Sequence, residues 1–380
     1  MGMTRTNQLL ALRSFGQSVW LDSISSRMVN SGELARLVEY DGLRGVTSNP
    51  TIFENAIVHS RDYDASIRLL AEQGKQAGEI YEMLAVEDIQ RAADLFRPFF
   101  DQTQGEDGFV SLEVAPEMAY KTEKTIQEAR RLWALVNRPN LMIKVPATAE
   151  GIPAVVQLIS EGINVNITLM FSMEHYLQVA NAYLSGLERR QVAGKPLTAA
   201  SVASFFVSRL DTMVDKLLEE QLLRDSSPEV RQIAPTLLGK TAIANTRLVY
   251  RKFKEIFSSP RFRALQQKGA KVQRPLWAST STKNPKYRDV LYIEELIGPN
   301  TVNTMPPATL EAFRDHGVLR RSVEEGVDEA RSALEQLDSL HIDLEQVTSK
   351  LQQAGVKAFS DSFSNLMQAL GKKLLACKEI

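Results

Sequence analysis

Short aliphatic runs alternate with longer amphipathic stretches along this chain. The apolar runs predict strands at Ser18–Asp22, Gly42–Ser48, Phe109–Ala115, Leu141–Ala147, Val165–Phe171, Ala199–Ser204, Arg274–Thr280 and Thr301–Met305. Between them, apolar residues recur at helical spacing over Ser31–Tyr40, Ile80–Phe96, Pro116–Val136, Ala149–Glu161, Met173–Gln191, Asp211–Leu223 and Thr236–Phe257. Strands separated by helices predict a parallel α/β fold, and eight of them favour a closed (β/α)8 TIM barrel over an open Rossmann sheet. No G-x-G-x-x-G follows a strand, which counts against a dinucleotide site. After Pro306-Pro307 the pattern is almost wholly helical, over Ser322–Leu340 and Asp343–Leu375. No flexible linker precedes these helices. The expectation is one barrel domain over residues 1–380, with roughly 318–380 forming extra C-terminal helices packed on it.

Polar residues interrupt the apolar strands at particular places. Lys144 sits within Leu141-Met142-Ile143-Lys144-Val145-Pro146. A charged ammonium in a buried strand is expensive unless it is paired or goes neutral. A lysine with a lowered pKa is the usual amine nucleophile toward carbonyls. The alternative is a strand-end lysine whose head reaches water, and on this strand alone the two stand level. In Asn164-Val165-Asn166-Ile167-Thr168-Leu169 polar and apolar residues alternate strictly. Alternation across a strand puts Val165, Ile167 and Leu169 toward the helices and Asn164, Asn166 and Thr168 into the barrel. Barrel interiors are usually filled by branched aliphatics, so amides and hydroxyls there need partners, such as a polar ligand or water.

By the same parity Glu113 shares a face with Ser111, and Asp22 closes the first strand. Asp22, Glu113, Lys144, Asn166 and Thr168 all fall toward C-terminal strand ends, where barrel active sites lie. Each has an ordinary structural role available. Asp22 suits a helix cap, Glu113 an ion-pair partner of Lys144, and Asn166 and Thr168 a buried network. Five such groups on one rim reverse that weighting. Asn49, in Gly45-Val46-Thr47-Ser48-Asn49-Pro50, is placed at the rim by turn chemistry and also suits a helix cap. Two segments offer anion sites: Ser204-Phe205-Phe206-Val207-Ser208-Arg209 and Ser279-Thr280-Ser281-Thr282-Lys283-Asn284. Hydroxyls, backbone amides and a cation after late barrel strands suit a phosphate. The ordinary reading is a polar loop with Arg209 paired to Asp211.

Composition narrows the classes. The formal net charge of −1 gives no electrostatic case for nucleic acid or an anionic membrane. One cysteine, Cys377, excludes an intrachain disulfide framework and suits a reducing compartment. The four histidines are scattered, which counts against a histidine metal site. No long apolar span or signal peptide is evident, so a cytoplasmic location is expected.

Together these segments resemble the transaldolase family, in its longer bacterial and plant-type branch. The resemblance is carried by Gly45–Phe53 (GVTSNPTIF), Ser111–Pro116 (SLEVAP), Asn140–Thr148 (NLMIKVPAT), Asn164–Ser172 (NVNITLMFS) and Ser201–Asp211 (SVASFFVSRLD). It implies a barrel of the class I aldolase type, working without metal or organic cofactor in the pentose phosphate pathway. Lys144 looks like the Schiff-base lysine, and Asp22 and Glu113 like the acid/base pair. Asn49, Asn166 and Thr168 look like the groups that hold the dihydroxyacetone unit and the catalytic water. Ser204 and Arg209 look like substrate and phosphate contacts, with Phe206 the aromatic beside the water. Shorter members have Ser-x-Arg-Asn after the seventh strand, where this chain has Ser281-Thr282-Lys283-Asn284. Ser281 and Lys283 are therefore expected to carry the phosphate charge without the guanidinium fork. The implied reaction moves a dihydroxyacetone unit from sedoheptulose 7-phosphate to glyceraldehyde 3-phosphate. A related aldolase that releases free dihydroxyacetone, as fructose-6-phosphate aldolases do, is the alternative. Sugar phosphates are the expected partners, with the protein a monomer or homodimer.

Overall fold

The computed structural model describes residues 7–378, with side chains to residue 376. Cys377, singled out above, lies outside the described side chains. Eight parallel strands close into a barrel in sequence order. They are β1 Gln17–Leu21, β2 Gly45–Val46, β3 Phe109–Glu113, β4 Leu141–Pro146, β5 Val165–Met170, β6 Ser201–Phe206, β7 Arg274–Ala278 and β8 Thr301–Met305. Helices cover the outside, as a parallel sheet buried on both faces requires.

Register decides what enters the barrel. Lys144 pairs with Glu113 on β3 and with Asn166 on β5. Paired residues of parallel strands point the same way, so these three share the interior face. Trp20, Gly45 and Phe109 form another interior row, nearer the N-terminal end of the barrel. The Trp20 and Phe109 ring centroids lie 6.3 Å apart and fill that end. A Cβ on Gly45 would come 2.6 Å from the Trp20 ring and 2.7 Å from the Phe109 carbonyl. Glycine is therefore what lets the short β2 pass the indole. The interior is aromatic below and polar above, and the polar end is the one at which the chemistry is concentrated.

Three expectations are corrected. Asn164 does not point into the barrel. It stitches backbone below it, donating to the carbonyls of Pro139 and Leu141 at 2.9 and 3.0 Å and accepting from the Ala200 amide. Leu169 leaves the alternation, because its φ is +60° and the β5–β6 register shifts between Ile167 and Met170. Its side chain lies against Gly355 of the last helix. The helix expected over Thr236–Phe257 is two, Pro228–Leu237 and Thr241–Phe257. Between them Gly239 takes a φ of +68°, where a Cβ would meet the Tyr287 ring at 2.7 Å. Periodicity carries across such a turn because both helices face the same core.

The last helix, Leu344–Lys378, has 35 residues and runs across the C-terminal mouth of the barrel. Gln352 donates to the carbonyls of Ala147 and Leu169 at 2.9 and 3.0 Å. Further along, the Ser362 hydroxyl meets that of Thr51 at 2.8 Å, and Lys373 reaches the carboxylate of Asp64 at 2.7 Å. Residues 352, 355, 359, 362, 366, 370 and 373 recur every three or four positions, so one stripe faces the barrel.

Candidate active site

Each strand end delivers one part of the site. On β4 the Lys144 side chain is buried, with the residue 4% exposed, and Glu113 is 9% exposed. The Lys144 Nζ lies 3.2 Å from Glu113 Oε2 and donates to the Ser48 carbonyl at 3.1 Å. The buried amine is thus paired, one of the two ways a buried lysine is tolerated. Burial pushes the Glu113 carboxyl above its ordinary value, and the adjacent Lys144 pulls it partly back. A carboxyl so placed exchanges a proton with the amine more readily than a solvated one.

Asp22 follows β1 across the mouth. Burial raises its pKa, opposed first by Lys144, then by the Thr47 hydrogen bond, Arg209 and Lys283. The Thr47 hydroxyl donates to it at 2.7 Å and also lies 2.7 Å from the Thr304 hydroxyl. The capping role considered for Asp22 belongs to Ser25, whose hydroxyl accepts from the Met28 amide. Asn49 does cap a helix, Pro50–Val58: its Oδ1 accepts from the Ile52 amide at 2.9 Å. Asn49 lines the cavity, and among the described residues no acceptor bonds its amide nitrogen.

Asn166 lies beneath the pocket. It donates to Ser111 Oγ at 3.0 Å and accepts from Ser204 Oγ at 2.6 Å. These bonds tie β3, β5 and β6 under the lysine. Thr168 Oγ1 is buried with no partner among the described residues. A buried hydroxyl left unpaired is costly and is ordinarily satisfied by water or ligand.

A cavity of about 360 Å3 opens above these groups. Asp22, Asn49, Lys144, Thr168, Ser204, Phe206, Arg209, Ser281 and Lys283 line it. Of the residues expected from sequence, only Asn166 and Glu113 are absent from its walls. Glu113 is reached through Lys144 and also borders a smaller side cavity with Tyr81 and Phe363. Phe206 belongs to β6 itself rather than to the loop after it. Its ring packs on Phe171 at 5.3 Å, and the Arg209 guanidinium lies 5.3 Å from its centroid.

Arg209 enters the helix Ser208–Arg224, whose N-cap Val207 has no capping side chain. Among the described residues, no acceptor bonds its guanidinium. The pairing with Asp211 considered above does not occur. Asp211 accepts instead from the Ala242 amide at 2.6 Å and the Tyr292 hydroxyl at 2.8 Å. Lys283 sits on the neighbouring loop, after β7, and donates to Ser281 Oγ at 2.8 Å. Desolvation and then repulsion from Arg209 lower its pKa. Ser279, which begins this loop, holds a φ of +54°. An L-residue there is strained, and strained backbone of this kind gathers at ligand sites. Among the described residues no carboxylate bonds either cation, and their place beside hydroxyls and a helix start suits an anion.

Sequence reasoning missed Phe359, Ile52, Asn55, Thr47 and Thr304, which also line the cavity. Thr47 and Thr304 carried the signal already used for Thr168, a hydroxyl at a strand end. Phe359 carried only helical periodicity, which reads as packing. Among the described residues, no group of three or more His, Cys, Asp or Glu is arranged to hold a metal.

Asp211 gives a testable pH dependence. Burial pushes it up to about 7 from the ordinary 3.8. Between about pH 4 and pH 7 the folded protein therefore keeps a proton that the unfolded chain has released, so stability falls as pH rises through that window. Asp88, pushed up to about 6 mainly by burial, acts with the same sign. The melting temperature is expected to fall from about pH 5 to pH 8, and Asp211→Asn, which cannot ionise, should flatten that fall. Calorimetry on both proteins checks it; equal slopes would assign the effect elsewhere.

A family described as Transaldolase/Fructose-6-phosphate aldolase matches residues 19–370. A transaldolase of Trichodesmium erythraeum is 46% identical over 372 residues, covering 97% of this chain and 98% of its own. One from Thermobifida fusca is 47% identical over 370 residues, 97% and 98% of the two chains. One from Saccharopolyspora erythraea is 46% identical over 374 residues, 98% and 99%.

Proposed function

This chain belongs to the transaldolase/fructose-6-phosphate aldolase family, and we infer that Lys144 is the amine through which it moves a dihydroxyacetone unit from sedoheptulose 7-phosphate to glyceraldehyde 3-phosphate. The chemistry is that of a transferase. One observation carries the residue assignment: a buried Lys144–Glu113 pair opens into a cavity that also holds Asp22 and an Arg209 that no carboxylate bonds among the described residues.

Lys144 passes a proton to Glu113 and attacks C2 of the ketose as the neutral amine. Glu113 returns the proton as the carbinolamine loses water. Thr168, whose hydroxyl has no partner among the described residues, holds that water. Asp22 takes the C4 hydroxyl proton, and the C3–C4 bond breaks. The pair of electrons from that bond flows into the iminium, giving an enamine on Lys144. Erythrose 4-phosphate leaves, and Asp22 keeps the proton. Glyceraldehyde 3-phosphate then enters, C3 of the enamine attacks its aldehyde, and Asp22 protonates the new alkoxide. Hydrolysis of the iminium frees fructose 6-phosphate. A carboxyl raised by burial suits Asp22 to a role in which it alternately gains and gives a proton. Asn49 and the Asn166–Ser204 pair orient the hydroxyls of the bound unit. Arg209, with Ser281 and Lys283, takes the phosphate.

The same reading makes residues 1–380 one domain and places the enzyme in the cytoplasm, as a monomer or homodimer with sugar phosphates as its only required partners. No helix among the described residues is long and apolar enough to cross a membrane. Release of free dihydroxyacetone is the disfavoured alternative, since the relatives bear the transferase name and Phe206 offers no hydroxyl to protonate the enamine. The test is incubation with fructose 6-phosphate and borohydride, followed by peptide mass mapping. A reduced three-carbon adduct on Lys144 is expected; a folded enzyme that turns over substrate without one would remove Lys144 from this role.

A further inference from the structure

Most loops at the mouth of this barrel are short; the long one, residues 279–290 after β7, brings Ser281 and Lys283 to the cavity wall. Only Phe171-Ser172 separate β5 from its helix, and only Val207 separates β6 from the next. What covers the mouth is the last helix. Its Gln352 is fixed to carbonyls after β4 and near the end of β5, and its Lys373 to Asp64 and the Ile57 carbonyl. Held at both ends, it is a strap.

Between those anchors lies Phe359, 4% exposed. Its ring centroid is 5.6 Å from Lys144 Nζ, and the ring lines the cavity. A unit attached to Nζ lies one bond from the amine, so Phe359 faces it directly. Phe206 is the other aromatic side chain on the walls. One turn before Phe359, Gly355 lets the strap settle on Leu169: a Cβ there would come 2.8 Å from Leu169 Cδ2 and 3.7 Å from Arg209 Nη1.

We propose that Phe359 is a specificity-determining residue that shields the Lys144-bound three-carbon enamine from water and so favours transfer over release. This rests on the Schiff-base reading above. The competing steps balance without another reactant. Water entering the site returns the Asp22 proton to C3 of the enamine. The resulting iminium then takes up one water and gives free dihydroxyacetone and the Lys144 amine. With carbinolamine dehydration having released one water, the net reaction is fructose 6-phosphate to dihydroxyacetone and glyceraldehyde 3-phosphate. An apolar ring over the enamine keeps further water from relaying the Asp22 proton to C3, while the water on Thr168 stays available for iminium hydrolysis, so the acceptor aldehyde is the favoured electrophile at C3.

The experiment compares Phe359→Ala with the unsubstituted enzyme. Fructose 6-phosphate alone measures release of free dihydroxyacetone. Addition of erythrose 4-phosphate measures transfer, as sedoheptulose 7-phosphate formed. The ratio of release to transfer is expected to rise about tenfold in the variant, with the borohydride adduct still formed on Lys144. A purely structural role would lower both rates together, and an unchanged ratio would overturn the proposal. Should Phe359→Ala lack a cooperative melt, Phe359→Leu decides in the same way, since it keeps the strap apolar but leaves a gap over the amine. Absence of the Lys144 adduct in the unsubstituted enzyme removes the premise instead, and is read from that control alone.

Discussion

Lys144→Met is expected to lower kcat by roughly 10^4-fold or more, since it removes the buried amine that forms the covalent intermediate, and the other amine on the cavity wall, Lys283, is held by Ser281 in the loop after β7. Borohydride trapping should vanish with it. Loss of the nucleophile must be told apart from loss of the fold, because the side chain is one half of a buried pair. Removing one partner of such a pair costs about 3–5 kcal/mol when the other stays charged. Glu113 has an escape: its pKa already stands above the ordinary value through burial, and without Lys144 the main opposing influence is gone. Its carboxyl should therefore shift further upward, toward the protonated form. The variant's stability then falls as pH rises, because ionising Glu113 in the folded state becomes the costly event. Lys144→Met with Glu113→Gln should recover the stability and leave activity absent. Equal turnover in the single variant and the unsubstituted enzyme would place the nucleophile elsewhere.

The barrel was legible because its signal is redundant. Each strand carries apolar residues in a short stretch between helical ones, and an error of a residue or two at an end leaves the count intact. β6 shows this: the expected Ala199–Ser204 is Ser201–Phe206, and the order is unchanged. The site was legible for a related reason. Lys144, Glu113 and Asn166 occur where an apolar side chain would otherwise be expected, and period-two parity sends them inward. Parity failed where the backbone departs from an ideal strand. Leu169 adopts a left-handed conformation, and nothing in its identity announces it. Asn164 followed the same parity, yet it lies at the lower end of β5, where unpaired carbonyls of the preceding loop claim an amide.

Long-range closure was the illegible part. That the last helix crosses the mouth depends on contacts such as Thr51 with Ser362, 311 positions apart. Its periodicity shows a buried stripe but not what the stripe covers. Phe359 thus looked like any core phenylalanine. The departure at Ser281–Asn284 was legible as chemistry but not as geometry. Lys283 is on the cavity wall with Ser281, as a phosphate contact requires, and Arg209, the fork-shaped donor on that wall, comes from the neighbouring strand end.

Arg209→Gln should lower kcat/KM for phosphorylated substrates by about 10^2–10^3-fold, or roughly 3–4 kcal/mol of binding in ground and transition states. The expectation follows from what Arg209 lacks. Its guanidinium is half-buried, stacked 5.3 Å from the Phe206 centroid, and bonded to no carboxylate. Desolvation lowers its pKa and only Asp22 opposes this. A dianionic phosphate would relieve the uncompensated charge and take up the free N–H donors at once. The effect should lie mostly in KM, because the phosphate stays far from the bond that breaks and is held alike before and during reaction. Substrates without phosphate, such as glyceraldehyde as acceptor, should lose less than about tenfold. Lys283→Ala should cost less than Arg209→Gln, since an ammonium at the solvent-facing side of the mouth is screened and contributes a single point of charge. Arg209→Lys should fall between them, keeping the charge and losing the fork. Equal losses with phosphorylated and unphosphorylated acceptors would mean that Arg209 acts through Asp22, whose pKa it lowers from across the cavity, and not through the phosphate.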